Sequence, residues 1–144
     1  MAASETEPLA TYCAGLSELQ KQVLDDTPYV HFLGLKVSRE DDGTTCYQLC
    51  FREEHIGNPL LRTFHGGILA SFGEVVASLH VVEDAGMQQP LCTSMTFYYL
   101  RPAFAGTIRA VPRIVRAGRR FIVVSVDIFL DKSHVSTGRF IYAR

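Results

Sequence analysis

Residues 63–85 read TFHGGILASFGEVVASLHVVEDA and contain the one long helical pattern in the chain. The apolar side chains recur at helical spacing in one stripe, formed by Ile68, Leu69, Phe72, Val75, Val76, Leu79 and Val82. A second face is also apolar, with Ala70, Ala77 and Val81. Because a helix that is apolar on nearly all sides is buried on most of them, the pattern predicts a central, buried helix over residues 66–84.

The segments around this helix have strand patterns. Four follow it, rich in Val, Ile, Phe and Tyr and separated by short turns, over residues 91–101, 107–116, 120–130 and 135–143. Two precede it, residues 33–38 and 44–51, joined at Asp42-Gly43, a strong hairpin signal. A helical pattern covers residues 8–24 and ends at Thr27-Pro28, and residues 52–65 form a loop. Short connections favour antiparallel neighbours, so we expect an α+β domain with a sheet curled around the central helix. Pro112 predicts an edge position or a bulge in its strand.

The composition limits the class of protein. The 144 residues suit one domain over residues 1–144, of which 1–27 would be a helical extension. The formal net charge of -1 argues against a nucleic-acid binder or a polybasic membrane binder. Apolar stretches are interrupted before the length of a membrane span, and the acidic N-terminus has no Lys or Arg before Lys21. We therefore expect a cytoplasmic protein without a membrane or nucleic-acid partner.

The cysteines and histidines show no metal-site spacing. Cys13, Cys46, Cys50 and Cys92 form no CxxC pair, and no HExxH or phosphate-binding glycine loop is present. In a cytosolic chain of this size the four cysteines are expected to be reduced and mostly buried. The sequence predicts no metal and no cofactor.

Glu74 is the residue that does not fit the central helix, because it lies on the face made by Ala70, Ala77 and Val81. A buried carboxylate loses hydration and needs either a partner or a function. One interpretation places Glu74 at a solvent gap or beside an Arg. The other makes it a general base or nucleophile at a cleft.

The start of the helix favours the second interpretation. Gly66 and Gly67 form helices poorly, but they let a ligand approach the backbone, and their N–H groups point along the helix axis toward an anionic or carbonyl oxygen. His65 could cap the helix, hydrogen-bond the loop or contact substrate. Glu74 lies roughly 10–12 Å from these donors at 1.5 Å per residue, which is long for one small group. We therefore expect a site shared between the Glu74 of one chain and the glycine amides of another.

Three motifs together resemble one family. The segment HIGNPLLRTFHGGILASFGE, residues 55–74, is similar to the HGG signature of the hotdog-fold acyl-CoA thioesterases of the PaaI type, in which a carboxylate follows the His by nine residues. Residues 99–103, YLRPA, and residues 115–120, VRAGRR, resemble later segments of that family. The match runs in the right order over about residues 28–144.

The resemblance implies a sheet wrapped around the central helix and a homodimer, often a tetramer, with two sites at the interface. It implies hydrolysis of an acyl-CoA, in which Glu74 activates water or attacks the thioester and the Gly66 N–H stabilises the oxyanion. CoA enters as part of the substrate, and no cofactor is needed. Asn58 would orient water or the carboxylate, and His65 stands with these catalytic candidates.

The remaining candidates concern substrate binding, with Gly67, Thr93, Arg101 and Arg119 as the residues implied. Asn58 stands seven residues before His65, where the family has six, and a turn before Pro59 is the alternative role for it. Cys92 occupies the position of a family Ser or Thr, with Thr93 next to it. Arg101, Arg116, Arg119 and Arg120 could bind CoA phosphates or form a solvated surface.

Two further functions remain open on the sequence. One is an acyl-thioester hydratase or dehydratase of the same fold, in which a His and a carboxylate move protons at carbon. The other is a non-catalytic module that binds acyl-CoA.

Overall fold

The computed structural model of the protein describes residues 11–12 and 16–144. Its main element is a seven-stranded sheet in the order β1-β2-β3-β7-β8-β9-β6, antiparallel except for the β1–β2 pair. The strands are β1 (Thr11–Tyr12), β2 (Leu35–Arg39), β3 (Thr45–Cys50), β6 (Cys92–Tyr99), β7 (Thr107–Ala117), β8 (Phe121–Leu130) and β9 (Ser133–Ala143). A small hairpin pairs β4 (Ile56–Asn58) with β5 (Thr63–Phe64).

The helix α3 (Gly66–Ala85) packs on one face of the sheet, against β7, β8, β9 and β6. Two shorter helices, α1 (Glu18–Asp26) and α2 (Pro28–Leu33), lie beside α3, and a 3-10 turn (Glu53–His55) precedes β4. The expected α+β architecture, a long helix on a large antiparallel sheet, is confirmed. The core is the apolar layer between α3 and the inward side chains of the strands.

The N-terminal prediction is wrong in part. Thr11 and Tyr12, placed in a helix by the pattern over residues 8–24, form β1 beside β2. Helix α1 begins only at Glu18, after Ser17, whose side chain and that of Gln20 form a reciprocal capping box. Residues 1–10 and 13–15, including Cys13, lie outside the described residues. The chain also continues as helix after Thr27, because Pro28 stands at the first helical position, where its missing N–H costs nothing.

Pro112 lies in β7, an interior strand, but β3 pairs with β7 only as far as Ala110, so at the proline that side of β7 is an edge, as predicted. Two further expectations need correction. By length and composition alone, α3 could cross a membrane, contrary to the estimate from apolar runs. In the structure, 44% of an 18-residue stretch of this helix is buried inside the protein. Cys46, Cys50 and Cys92 are free, as expected, but half-buried rather than buried.

Helix α3 approaches the sheet closely at two facing glycines. A Cβ on Gly73 of α3 would lie 3.0 Å from the Phe140 ring and 3.1 Å from the Phe97 ring. A Cβ on Gly138 of β9 would lie 2.6 Å from the Phe97 ring and 2.8 Å from the Phe140 ring. Both phenyl rings therefore fill the space that the glycines leave, and this contact fixes the height of the next residue, Glu74, above the sheet.

The turn into α3 rests on a buried histidine. The side chain of His55 is fully buried among aromatic rings, stacked on Phe64 at 5.6 Å between centroids and edge-on to Phe51 and Phe32. Its Nδ1 accepts a hydrogen bond from the backbone N–H of Arg52 at 3.2 Å, which leaves the proton on Nε2. Its carbonyl oxygen accepts from the N–H of His65 at 2.7 Å. His55 thus fixes the residue from which α3 starts.

Replacing Gly138 with Ala tests the close approach of α3. The added methyl overpacks the two phenyl rings, so we expect the free energy of unfolding to fall by about 1–3 kcal/mol, measured by urea denaturation. Thr137→Ala, at the neighbouring half-buried position, is the control and should cost less. An equally stable Gly138→Ala protein would show that the helix has room to move away.

The buried His55 predicts a pH dependence of stability. Burial, and next the nearby Arg52 guanidinium, lower the pKa of His55 in the folded protein below its usual 6.5. The unfolded chain therefore binds the proton first, and stability is lost as the pH falls from about 6.5 through the folded pKa. His55→Phe should have a shallower loss of stability over this range in urea titrations at several pH values. Equal slopes for both proteins would contradict this assignment.

Candidate active site

The N-terminus of α3 presents one free backbone donor. The side chain of His65 caps the helix, with Nδ1 accepting from the Gly67 N–H at 2.9 Å. Within residues 16–144 the Gly66 N–H donates no hydrogen bond. The Gly66 carbonyl accepts from the Tyr99 hydroxyl at 2.9 Å. A Cβ on Gly66 would lie 3.1 Å from the Tyr99 ring, so a larger residue here would displace the tyrosine. The Gly66 N–H is thus available to donate to a ligand, and the Gly67 N–H is not.

Glu74 is exposed, which corrects the expectation that the helix buries it. Ala77 and Val81, on the flank assigned to it from the sequence, are buried, but Ser71 and Ser78, on the other flank, are only half-buried. The Tyr142 hydroxyl of β9 donates to the Glu74 carbonyl at 3.2 Å and pairs with the Ser78 hydroxyl at 2.8 Å. Glu74 therefore lies over the end of the sheet where β9 and β6 meet.

Cys92, the first residue of β6, lies close to Glu74. Burial, and next the Glu74 carboxylate, raise the pKa of the Cys92 thiol above its usual value. The thiol donates to the Ser94 carbonyl at 3.3 Å. A neutral, hydrogen-bonded thiol is a poor nucleophile. Among the side chains at this place, the carboxylate is the group suited to activate water.

Asn58 has a structural task in the loop before α3. Its Oδ1 accepts from the N–H groups of Leu60 and Leu61 at 3.0 and 3.1 Å, and its carbonyl accepts from the N–H of Arg62 at 2.8 Å. These bonds form a turn that begins at Asn58 and contains Pro59. A turn at this proline was the structural alternative to a catalytic role for Asn58. The side-chain amide NH₂ of Asn58 makes no bond within the described part of the chain.

The substrate-binding candidates fall into two other places. Thr93 and Arg119 line one groove of about 990 Å³, together with Arg116, Arg120 and Phe121. Thr93 also donates to the Ile141 carbonyl at 3.1 Å. Arg101 lines a cavity of about 300 Å³ beside Gly66 and Tyr99, and it donates to the His134 carbonyl at 3.5 Å. The Arg116, Arg119 and Arg120 side chains form no ion pair or side-chain hydrogen bond over residues 16–144.

A single chain does not bring Glu74 and Gly66 together. The two residues are eight apart on one helix, about 12 Å along its axis. They line separate cavities, Gly66 with Tyr99 and Arg101, Glu74 with residues of α1 and α2. Over the described residues no group of three or more His, Cys, Asp or Glu side chains is arranged to hold a metal ion.

Strand β6, which runs past both residues, is a free edge of the sheet. Met95, Tyr98 and Tyr99 are 40%, 59% and 56% exposed along it. An exposed apolar edge strand is a template for pairing with another chain. One end of β6 contacts Gly66 through Tyr99, and the other end, Cys92, pairs with Tyr142 of β9, whose hydroxyl reaches the Glu74 carbonyl.

Sequence reasoning missed three residues that position the site. Tyr99 and Tyr142 orient the carbonyls of Gly66 and Glu74, and His55 holds the turn before α3. Tyr99 lies in the YLRPA segment and His55 is the first residue of the HGG-containing segment 55–74, but no sequence pattern predicted a role for either residue. Tyr142 lies in a strand where alternation predicts burial and cannot predict a partner.

The sequence and the fold resemble those of known proteins. Residues 61–137, more than half of the chain, match the family model described as the thioesterase superfamily. A conserved protein of Pseudomonas aeruginosa is 27% identical, with a TM-score of 0.71 over 81% of this chain and 93% of that one. No curated protein matches the chain at a significant level.

Two more distant structures share the fold. The PaaI protein of E. coli, from its phenylacetic acid degradation operon, is 21% identical, with a TM-score of 0.70 over 88% of this chain and 95% of that one. A protein of Bacillus halodurans, solved with CoA, is 22% identical, with a TM-score of 0.73 over 91% and 97% of the two chains. The chain therefore belongs to the thioesterase superfamily, and it has the hotdog fold that its motifs predict.

Proposed function

We propose that the protein hydrolyses an acyl-CoA thioester to the free acid and CoA in a site shared between two copies of the chain. The observation that carries the proposal is the position of Gly66 and Glu74 at opposite ends of the free edge strand β6. Membership of the thioesterase superfamily supports the reaction class.

Antiparallel pairing of two β6 strands would complete the site. A two-fold axis places the Cys92 end of one strand opposite the Tyr99 end of the other. The strand is about 24 Å long at 3.4 Å per residue. In the paired strands each Glu74 is therefore far from the Gly66 of its own chain and close to the Gly66 of the second copy. The pairing also covers the exposed Met95, Tyr98 and Tyr99. The dimer is therefore the smallest active unit, and dimers can associate further into tetramers.

In this site Glu74 acts on water and Gly66 on the carbonyl oxygen. As general base, Glu74 takes a proton while the water oxygen bonds to the thioester carbon. The Gly66 N–H stabilises the resulting oxyanion, which such donors do by about 2.7–4 kcal/mol. Collapse breaks the carbon–sulfur bond, and the CoA thiolate takes up the proton. The alternative is direct attack of the carboxylate, which gives an anhydride that water then cleaves.

The other candidates assist. The free amide NH₂ of Asn58 is available to orient water, and His65 keeps the Gly66 turn in place through its cap on Gly67. The Arg116, Arg119 and Arg120 guanidiniums offer paired donors to the CoA phosphates, in the groove that begins at Thr93, one residue from Cys92. Arg101 stands on the Gly66 side. The structure of the Bacillus halodurans protein was solved with CoA, which is compatible with this ligand. No cofactor takes part, and we assign the reaction to the cytoplasm.

Replacing Glu74 with Gln tests the chemistry. The side chain keeps its shape and loses its basicity, so thiol release from acyl-CoAs should fall about 10²–10⁴-fold, measured with a chromogenic thiol reagent. Glu83→Gln, on the same helix but in contact with Thr45 and Arg39, is the matched control and should retain turnover. A fully active Glu74→Gln enzyme would remove Glu74 from the mechanism. A protein that binds acyl-CoA without releasing thiol would be a binding module, and water addition to an enoyl-CoA would indicate a hydratase.

Mixing two inactive variants tests whether the site is shared. Gly66→Val blocks the oxyanion donor and Glu74→Gln removes the base, so each homodimer should be inactive. In a heterodimer, the Glu74 of the Gly66→Val chain faces the intact Gly66 of the Glu74→Gln chain, and one of the two sites is whole. We expect activity to return after the two proteins are unfolded together and refolded. The double variant mixed with wild type is the control for exchange, and no recovery despite exchange would place the whole site within one chain.

A further inference from the structure

A cleft lies between β3 and β7, at the point where these two strands diverge. Their pairing ends at Tyr47 and Ala110, so the strands leave a gap beyond these residues. The cleft has a volume of about 350 Å³, and the C-terminal end of α3 forms one wall of it with Glu83 and Asp84. None of the residues proposed for thioester hydrolysis lines this cleft, so it is separate from the candidate active site.

The cleft contains more negative than positive charge. Three carboxylates line it, those of Glu40, Glu83 and Asp84, against one guanidinium, that of Arg109. Arg109 lies over the Phe129 ring at 5.1 Å and forms no ion pair within residues 16–144. Two of the carboxylates stand in the last turn of α3, where the helix dipole favours cations, and this turn holds no basic residue. The charges of the cleft therefore favour a cationic ligand.

The two carboxylates of α3 are satisfied to different degrees within the protein. Glu83 accepts from the Thr45 hydroxyl at 3.1 and 3.2 Å and pairs with Arg39 at 3.3 Å. Asp84 pairs only with His80, at 3.3 Å, and the histidine ring bears a charge only when it is protonated. The Asp84 side chain is also half exposed, so it retains oxygen lone pairs for a ligand.

Two further groups of the cleft have no partner in the described part of the chain. The Glu40 carboxylate forms no ion pair or hydrogen bond there. The hydroxyl oxygen of Tyr47, a residue only 1% exposed, forms no hydrogen bond either. Burial, and next the Glu83 and Asp84 carboxylates, raise the pKa of Tyr47, which places its hydroxyl near them and keeps it protonated. A buried hydroxyl without a partner costs free energy, and a ligand that bonds to it removes that cost.

We propose that this cleft binds a primary alkylammonium group, held between Glu40 and Asp84 with the Tyr47 oxygen as the third acceptor. An ammonium group has three N–H donors, which match these three acceptors, and the Tyr47 proton can turn toward Glu83. Over the described residues no three His, Cys, Asp or Glu side chains are arranged to hold a metal ion, so the cleft suits a hydrogen-bonding organic cation. The inference is independent of the proposed thioesterase function.

Calorimetric titration with diaminobutane tests the cleft, and butanediol, which has the same length and no charge, is the control ligand. Wild type should bind the diamine and not the diol. Glu40→Gln should weaken diamine binding about tenfold or more, because a charge-assisted hydrogen bond is lost, and Tyr47→Phe about two- to tenfold. Glu54→Gln, which removes an exposed carboxylate outside the cleft, is the matched control and should bind as wild type does.

Thermal unfolding separates this role of Tyr47 from a structural one. Without ligand, Tyr47→Phe loses a hydroxyl that has no partner, so it should unfold at the same temperature as wild type or at a higher one. With the diamine, the unfolding temperature should rise more for wild type than for the variant. A lower unfolding temperature of ligand-free Tyr47→Phe would show that the hydroxyl is paired within the protein and would remove it from the binding site.

The outcomes of the titrations decide the inference without reference to enzyme activity. It is overturned if wild type does not bind the diamine at millimolar concentration, or if Glu40→Gln binds it equally well, since the amine would then lie elsewhere. N-acetyl-lysine amide distinguishes the two sources of an ammonium group. Binding of this compound as tight as that of the diamine supports a lysine side chain of a partner, and binding of the diamine alone supports a free amine.

Discussion

Two tyrosine hydroxyls tie α3 to β6 and β9, and the candidate site depends on them. Tyr99 of β6 donates to the carbonyl of Gly66, and Tyr142 of β9 donates to the carbonyl of Glu74. Both bonds end on the backbone of the helix, so they hold its position whatever the side chains do. The glycines Gly73 and Gly138 bring the helix close enough for these hydroxyls to reach it. Burial raises the pKa of Tyr142, which keeps this donor protonated.

This arrangement explains why a single chain keeps Glu74 and Gly66 apart. Glu74 cannot reach Gly66 within one chain, since about 12 Å of rigid helix separates them. The same rigidity makes the positions of both groups reliable for a second copy. An exposed carboxylate stays hydrated in the single chain, where its charge costs little. In the proposed dimer, pairing of two edge strands supplies the enclosure and the oxyanion donor together.

Much of the fold could be predicted from the sequence, because strong periodicity decided it. Helix α3 differs from the predicted helix by one residue, and six of the strands are where alternation and turn residues placed them. The N-terminal part was predicted less well. Two-residue β1 is too short for a periodic signal, and α2 begins at a proline that also fits a helix end. Glu74 was found because it disagreed with its apolar face, and a solvent gap was one of the two interpretations of it. Periodicity could not decide between them, since it does not show which flank of a helix the sheet leaves open.

The same limit applies to contacts between distant segments. His55 and Tyr142 act through a carbonyl and a hydroxyl placed by the tertiary structure, and no local pattern encodes either bond. The cavity beside Glu74 is also tertiary, since its walls come from α1, α2 and α3. Its outer wall belongs to the short helices, and α2 also reaches the turn before α3, where Phe32 packs against His55 and Tyr29 bonds to Ser71. A pattern within any one of these helices therefore cannot reveal the cavity, because it exists only where the three helices pack together.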